Sequence, residues 1–108
     1  MVTKVSRFEI YLVALDPTVG SEIQKTRPCI VISPDEINIL RTVIIALLTS
    51  KGFNFIFRPK IKFQNKEGMV LLDQIRTVDK KRLIKKIGKV DENKAKEIAN
   101  TLVEMFRF

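Results

Sequence analysis

The chain has 108 residues, 45% of them apolar, with 20 Lys plus Arg against 12 Asp plus Glu, a formal charge of +8, one cysteine and no histidine. That is enough apolar material for one domain over 1–108 whose core buries roughly 60–70% of the unfolded surface, which excludes intrinsic disorder. Without imidazoles or a second thiol, zinc sites, intrachain disulfides and Ser-His-Asp or Cys-His machinery are excluded, and no metal or cofactor is expected.

Phe8 to Leu15 is aromatic and β-prone without a helical stripe, and it ends at the turn-opening Asp16-Pro17, so it predicts a first strand. Asp16 to Pro28 is a long connection with few aliphatic residues, a kind that is usually functional. Cys29 to Ser33 reads as a second strand, and Ser33-Pro34-Asp35-Glu36 as a short helical turn with acids at its N-terminus. Thr42 to Leu48 is continuously β-branched and aliphatic, which predicts a central or interface strand covered on both faces. Ser50 to Lys60 is a second long connection. Ile61 to Phe63 and Gly68 to Asp73 suggest a hairpin around Asn65 to Gly68, and Ile75 to Val78 and Ile84 to Val90 continue as short strands. After Asp91, a candidate N-cap, the residues Ala95, Ile98, Ala99, Leu102, Val103 and Phe106 recur at helical spacing, closing the core or a dimer contact. The expected fold is mainly β with helices (α+β), a small barrel or twisted antiparallel sheet carrying a C-terminal helix. Apolar runs such as Val43 to Leu48 are far short of the ~20 residues of a membrane span. Glu9 and Asp16 break any secretory stretch, so the expectation is a cytoplasmic protein with no membrane partner.

Between Lys51 and Lys89 twelve cations face three anions, while the rest of the chain nets −1. A polyanion partner, nucleic acid first, accounts for that asymmetry, because Lys and Arg displace condensed counterions from phosphates. A solvated basic face that keeps the protein soluble accounts for it as well. In Lys25-Thr26-Arg27-Pro28 the proline holds Arg27 extended at the mouth of the second strand, where a fixed guanidinium suits a phosphate, or is simply a surface arginine. Thr49-Ser50 ends the apolar strand with hydroxyls, which ordinary turn chemistry also explains. In Asp73-Gln74-Ile75-Arg76, Gln74 and Arg76 alternate with an apolar residue and suit unstacked bases or phosphates; an Arg76–Asp73 ion pair is the plain alternative. Phe53, Phe55 and Phe57 fit core or dimer packing better than base stacking. Cys29, between Pro28 and Ile30-Val31-Ile32, reads as a small buried hydrophobe rather than a nucleophile.

The strings FEIYLVALDPTVGSE, KTRPCIVISPDEIN, VIIALLTS and GMVLLDQIRTVDKKRL occur in the order and spacing of MazF/PemK-type toxins of bacterial toxin-antitoxin modules, which the chain resembles from Phe8 to Leu83. The resemblance implies an SH3-like barrel toxin that forms a homodimer, is held inactive by a cognate antitoxin, and cleaves single-stranded messenger RNA without a metal. It implies catalytic roles for Arg27 and Thr49; beside them, Glu22 is a further candidate for proton transfer or base reading. Ser21, Lys25, Lys51, Arg58, Asp73, Gln74 and Arg76 would hold the RNA. Ser21 and Leu71 stand where some PemK-like members carry a histidine and an arginine, so the Arg-Thr scheme is the one implied. Gyrase-binding toxins share this fold, and they and a non-catalytic RNA-binding barrel remain the alternatives.

Overall fold

A strand that is apolar at nearly every position needs cover on both faces. The computed structural model, which describes residues 4–15, 25–51 and 54–108, provides that cover for β3 (Thr42–Thr49), the central strand expected from its composition. It is flanked by β2 (Thr26–Val31) and by the long β5 (Lys66–Asp79). β1 (Glu9–Ala14) lies beyond β2, while β4 (Lys60–Phe63) and β6 (Leu83–Lys89) form the two ends of the order β4-β5-β3-β2-β1-β6. All the pairings are antiparallel, and the sheet curls into a nearly closed barrel.

Strand alternation sorts the core into two clusters. Tyr11, Val13, Cys29, Val31, Val43, Ile45 and Val78 gather in one; Ile10, Ile30, Ala46, Leu48, Val70 and Leu72 gather in the other with Ile98 of α1 (Glu92–Phe106). β5 serves both clusters by means of a bulge. It pairs with β3 in one register from Thr49↔Met69 to Leu47↔Leu71 and in another from Ala46↔Ile75 onward, leaving Leu72, Asp73 and Gln74 as extra residues. A bulge of this kind bends the strand and re-aims its side chains.

The helix starts as its sequence predicts, with the Asp91 carboxylate accepting the Lys94 N–H at 2.8 Å. Its buried stripe is narrower than expected: Ile98 is fully buried with Ala95, Leu102 and Met105 beside it, but Val103 and Phe106 are exposed. Other boundaries differ for backbone reasons. β2 begins at Thr26 rather than Cys29, because Ala14↔Thr26 and Val13↔Arg27 extend the β1 ladder into the Lys25–Pro28 string. The hairpin turns at Gln64-Asn65, whose φ values of 50° and 60° are those of a two-residue type I′ turn, so Lys66 and Glu67 belong to β5. Ile75–Val78 is the far half of β5, not a separate strand. After Pro34 the chain makes turns rather than a helix, and Asp35 accepts the Arg7 N–H at 2.8 Å instead of capping one.

Two buried polar groups stitch the rims. Glu9 accepts from the Ser6 N–H (2.7 Å) and the Tyr11 hydroxyl (3.0 Å) and pairs with Lys86 at 2.7 Å. Burial works against the Glu9 charge, but these partners outweigh it and hold the carboxyl below its ordinary value, while burial and the same carboxylate push Tyr11 up to about 12. Across the barrel, Asn38 bonds Ser33 through both ends of its amide, the Ser33 hydroxyl accepts the Ile44 N–H at 3.0 Å, and the buried Lys80 donates to the Asn38 carbonyl. No helix among the described residues is long and apolar enough to cross a membrane.

Candidate nucleic-acid interface

β2 and β3 pair through Cys29↔Leu47, Ile30↔Ala46 and Val31↔Ile45. Both strands run on past the last of these pairs, which brings Arg27 and Thr49 to neighbouring ends of β2 and β3, on the face that holds Cys29 and Leu47. The Arg27 side chain confirms the proximity by donating to the Leu48 carbonyl at 3.4 Å. Arg27 is exposed, and among the described residues that long bond is the one its five-donor fork makes.

Thr49 sits where β3 leaves the sheet. Its hydroxyl donates to the Lys51 carbonyl at 2.7 Å and accepts the Lys51 N–H at 3.1 Å, a closed turn that fixes both the side chain and the start of the connection. Thr49 is opposite Met69 on β5, and Met69 is opposite Lys60 on β4. One row therefore crosses three strands as Thr49, Met69 and Lys60.

On the same face Arg76 is opposite Ile45, two positions from Cys29 in the sheet. Burial drives the Cys29 thiol up to about 12 against the opposing pull of Arg27 and Arg76. The thiol is fully buried and un-ionised at neutral pH, as its sequence context predicts.

The Asp73 carboxylate lies in the β5 bulge and takes a two-pronged bond from Arg58, Nε at 3.0 Å and Nη2 at 2.9 Å. It is therefore Arg58, not Arg76, that pairs with Asp73. The Arg58 bonds outweigh desolvation and, helped by the Gln74 amide, keep Asp73 ionised below its ordinary range. Arg58 also lies 5.6 Å from the ring centre of Phe55, which is exposed rather than packed in the core. Lys25 and Lys51 are exposed beside Arg27 and Thr49. Ser21, Glu22 and Phe53 lie outside the described residues. Among the described residues no group of His, Cys, Asp and Glu is placed to hold a metal ion.

A cavity of about 500 Å³ opens beside Thr49, lined by Ser50, Lys60, Lys62, Glu67, Gly68 and Lys94 among others. Sequence reading does not single out Lys60 and Lys62. The signal is there nonetheless, since Ile61 between them is buried and alternation puts both lysines on the opposite face. Gly68 has no room for a side chain: a Cβ would come within 2.7 Å of the Phe63 ring and 2.9 Å of the Thr49 carbonyl.

The family of PemK-like, MazF-like toxins of type II toxin-antitoxin systems matches residues 6–106. The endoribonuclease MazF of Staphylococcus epidermidis is 35% identical over 105 residues, covering 91% of this chain and 88% of that protein. Among solved structures, the Mycobacterium tuberculosis toxin MazF-mt6 superposes with a TM-score of 0.76 at 19% identity over 91% of this chain and 95% of that one. A MazE-MazF structure from Deinococcus radiodurans gives 0.78 at 19% identity over 94% and 95%. At that identity these structures speak to the fold, an SH3-like toxin barrel as the sequence resemblance implies.

Proposed function

The chain belongs to the PemK-like, MazF-like toxin family of type II toxin-antitoxin systems, and on that premise we propose that it is an endoribonuclease cutting single-stranded messenger RNA. The RNA supplies its own nucleophile. The 2′-oxygen attacks the adjacent phosphorus, the bond from phosphorus to the 5′-oxygen breaks, and the products end in a 2′,3′-cyclic phosphate and a 5′-hydroxyl. One proton leaves the 2′-hydroxyl and one reaches the departing 5′-oxygen. Arg27 stabilises the charge that builds on the phosphoryl oxygens with the paired donors of its guanidinium. The Thr49 hydroxyl, held by its turn, positions the phosphate or the 2′-hydroxyl. Glu22 is the candidate for proton transfer, and Ser21, Lys25, Lys51, Gln74 and Arg76 hold the strand. Asp73 acts through Arg58 and Gln74, which it orients. Single-stranded RNA suits the site because its bases can splay over an open surface.

The observation that supports this reading is an exposed guanidinium that reaches the Leu48 carbonyl, next to a Thr49 hydroxyl fixed by its turn. A homodimer, a cognate antitoxin and a cytoplasmic setting belong to the same reading. A mycobacterial endoribonuclease bound to its cognate antitoxin is among the structural neighbours. The deciding experiment incubates purified protein and an Arg27→Ala variant with a long RNA in EDTA and sequences the cut ends. Discrete cuts at a short motif by the parent alone support the assignment. Retardation without cuts points to a binding module, neither outcome points to a gyrase-type toxin, and unaltered turnover by Arg27→Ala removes Arg27 from the mechanism.

A further inference from the structure

We propose that the cavity beside Thr49 is a second phosphate-binding subsite, in which Lys60 and Lys62 grip the backbone of the RNA strand next to the scissile link. The proposal rests on the ribonuclease reading and extends it to residues outside the Arg27–Thr49 pair. Thr49 lines the cavity together with Ser50, Lys60, Lys62 and Lys94. Met69 alone separates Thr49 from Lys60 in the row that crosses the sheet, so a strand seated on Thr49 meets Lys60 two strands away, about 10 Å by ordinary strand spacing.

The charges are available. Among the described residues Lys60 and Lys62 make no ion pair, both are exposed, and Glu67, opposite Lys62, is the one carboxylate in the lining. Lys94 is different, since it pairs with Glu97 at 3.2 Å, and it contributes a positive rim rather than a free clamp. The lysines that guard the other edge, on β6, line no part of this cavity. Lysines on an edge strand also deter pairing with another chain. That role needs charge but no particular position, whereas phosphate binding requires these two lysines.

The test is a binding titration of an all-2′-O-methyl single-stranded RNA carrying the mapped cleavage motif, which cannot be cut, across a range of salt concentrations. Parent, Lys60→Ala/Lys62→Ala and Lys85→Ala/Lys89→Ala are compared. Each phosphate contact to a single strand contributes about 0.7 to the slope of log affinity against log salt. The pocket variant should lose about 1.4 from that slope, so that a fourfold rise in salt weakens the parent about sevenfold more than the variant. On cuttable RNA its KM should rise with kcat unchanged. The β6 variant removes the same charge and should keep the parent slope. Equal losses in both variants, or none in either, overturn the subsite. A parent that binds no RNA at all overturns the ribonuclease reading instead.

Discussion

Two polar clusters sit on this barrel and differ in what they leave unpaired. Around Glu9, donors and acceptor match: Ser6, Tyr11 and Lys86 all point at one buried carboxylate, which is held ionised. Around Thr49 the balance is open. Among the described residues Arg27 spends one long bond on a carbonyl and Arg76 has no ion pair, and Lys60 and Lys62 line a cavity. A closed network contributes stability because every desolvated group is compensated. Cations left uncompensated on a rigid sheet contribute little to folding and are free to receive an anion. The Arg58–Asp73 pair lies between the two cases, closed within itself yet partly exposed at the margin of the open cluster.

The sharpest way to break this contrast is to exchange function for stability at Arg27. Arg27→Ala should cut the cleavage rate by about 10²–10³-fold, the effect typical of losing a group that stabilises developing charge, while thermal unfolding shifts by no more than a degree or two. Arg27→Lys should recover little, since an ammonium cannot offer paired donors. A fall in melting temperature matching the loss of activity would move Arg27 into the closed class.

The converse holds for Glu9. Glu9→Ala strands the Ser6 N–H and the Tyr11 hydroxyl and should cost about 2 kcal/mol in denaturant unfolding, most of it from those hydrogen bonds because Lys86 is half exposed and its charge is screened. The rate per folded molecule should be unchanged. Gly68→Ala tests the border between the clusters. Its methyl group meets the Phe63 ring and the Thr49 carbonyl, so a loss of about 1–2 kcal/mol should come with reduced cleavage, because the backbone that must yield carries Thr49. Intact cleavage with the same stability loss would show that the strain is absorbed at Phe63 alone.

The smallest effect expected is that of pH on folding. Glu9 and Asp73 are both held below their ordinary values of 4.5 and 3.8, so their contribution is fully present above those values and is lost as pH falls through the lower folded-state ones. With no histidine in the chain, stability should be flat between about pH 5 and 8 and decline only in acid. A step near pH 6.5 in a melting series would contradict this balance.

Much of the fold was legible because strand and helix periods are local properties. Val43 to Leu48 announced a doubly covered strand and Asp91 a helix start, and both stand. Strand limits were less legible because pairing decides them. The Lys25–Pro28 string reads as a loop until β1 offers it a ladder, and Ile75 to Val78 reads as a separate strand until the β3 register joins it to β5. The helix stripe was overestimated at Val103 and Phe106, since spacing gives the direction of a face but not how far its cover reaches.

For the candidate site, the residue types came from the chain and the company each keeps came from the fold. Composition alone removed imidazole, disulfide and zinc chemistry and concentrated the positive charge in one segment, and the KTRP string with the threonine after VIIALL marked a guanidinium and a hydroxyl. Antiparallel pairing across β2, β3, β5 and β4 then decided that Arg27 reaches the Leu48 carbonyl beside Thr49, that Lys60 falls in the Thr49 row, and that Asp73 takes Arg58 rather than Arg76. The physical reason is that side-chain chemistry is a property of each residue, whereas adjacency between strands far apart in the chain exists only once register, twist and bulge have been set by packing of the whole sheet.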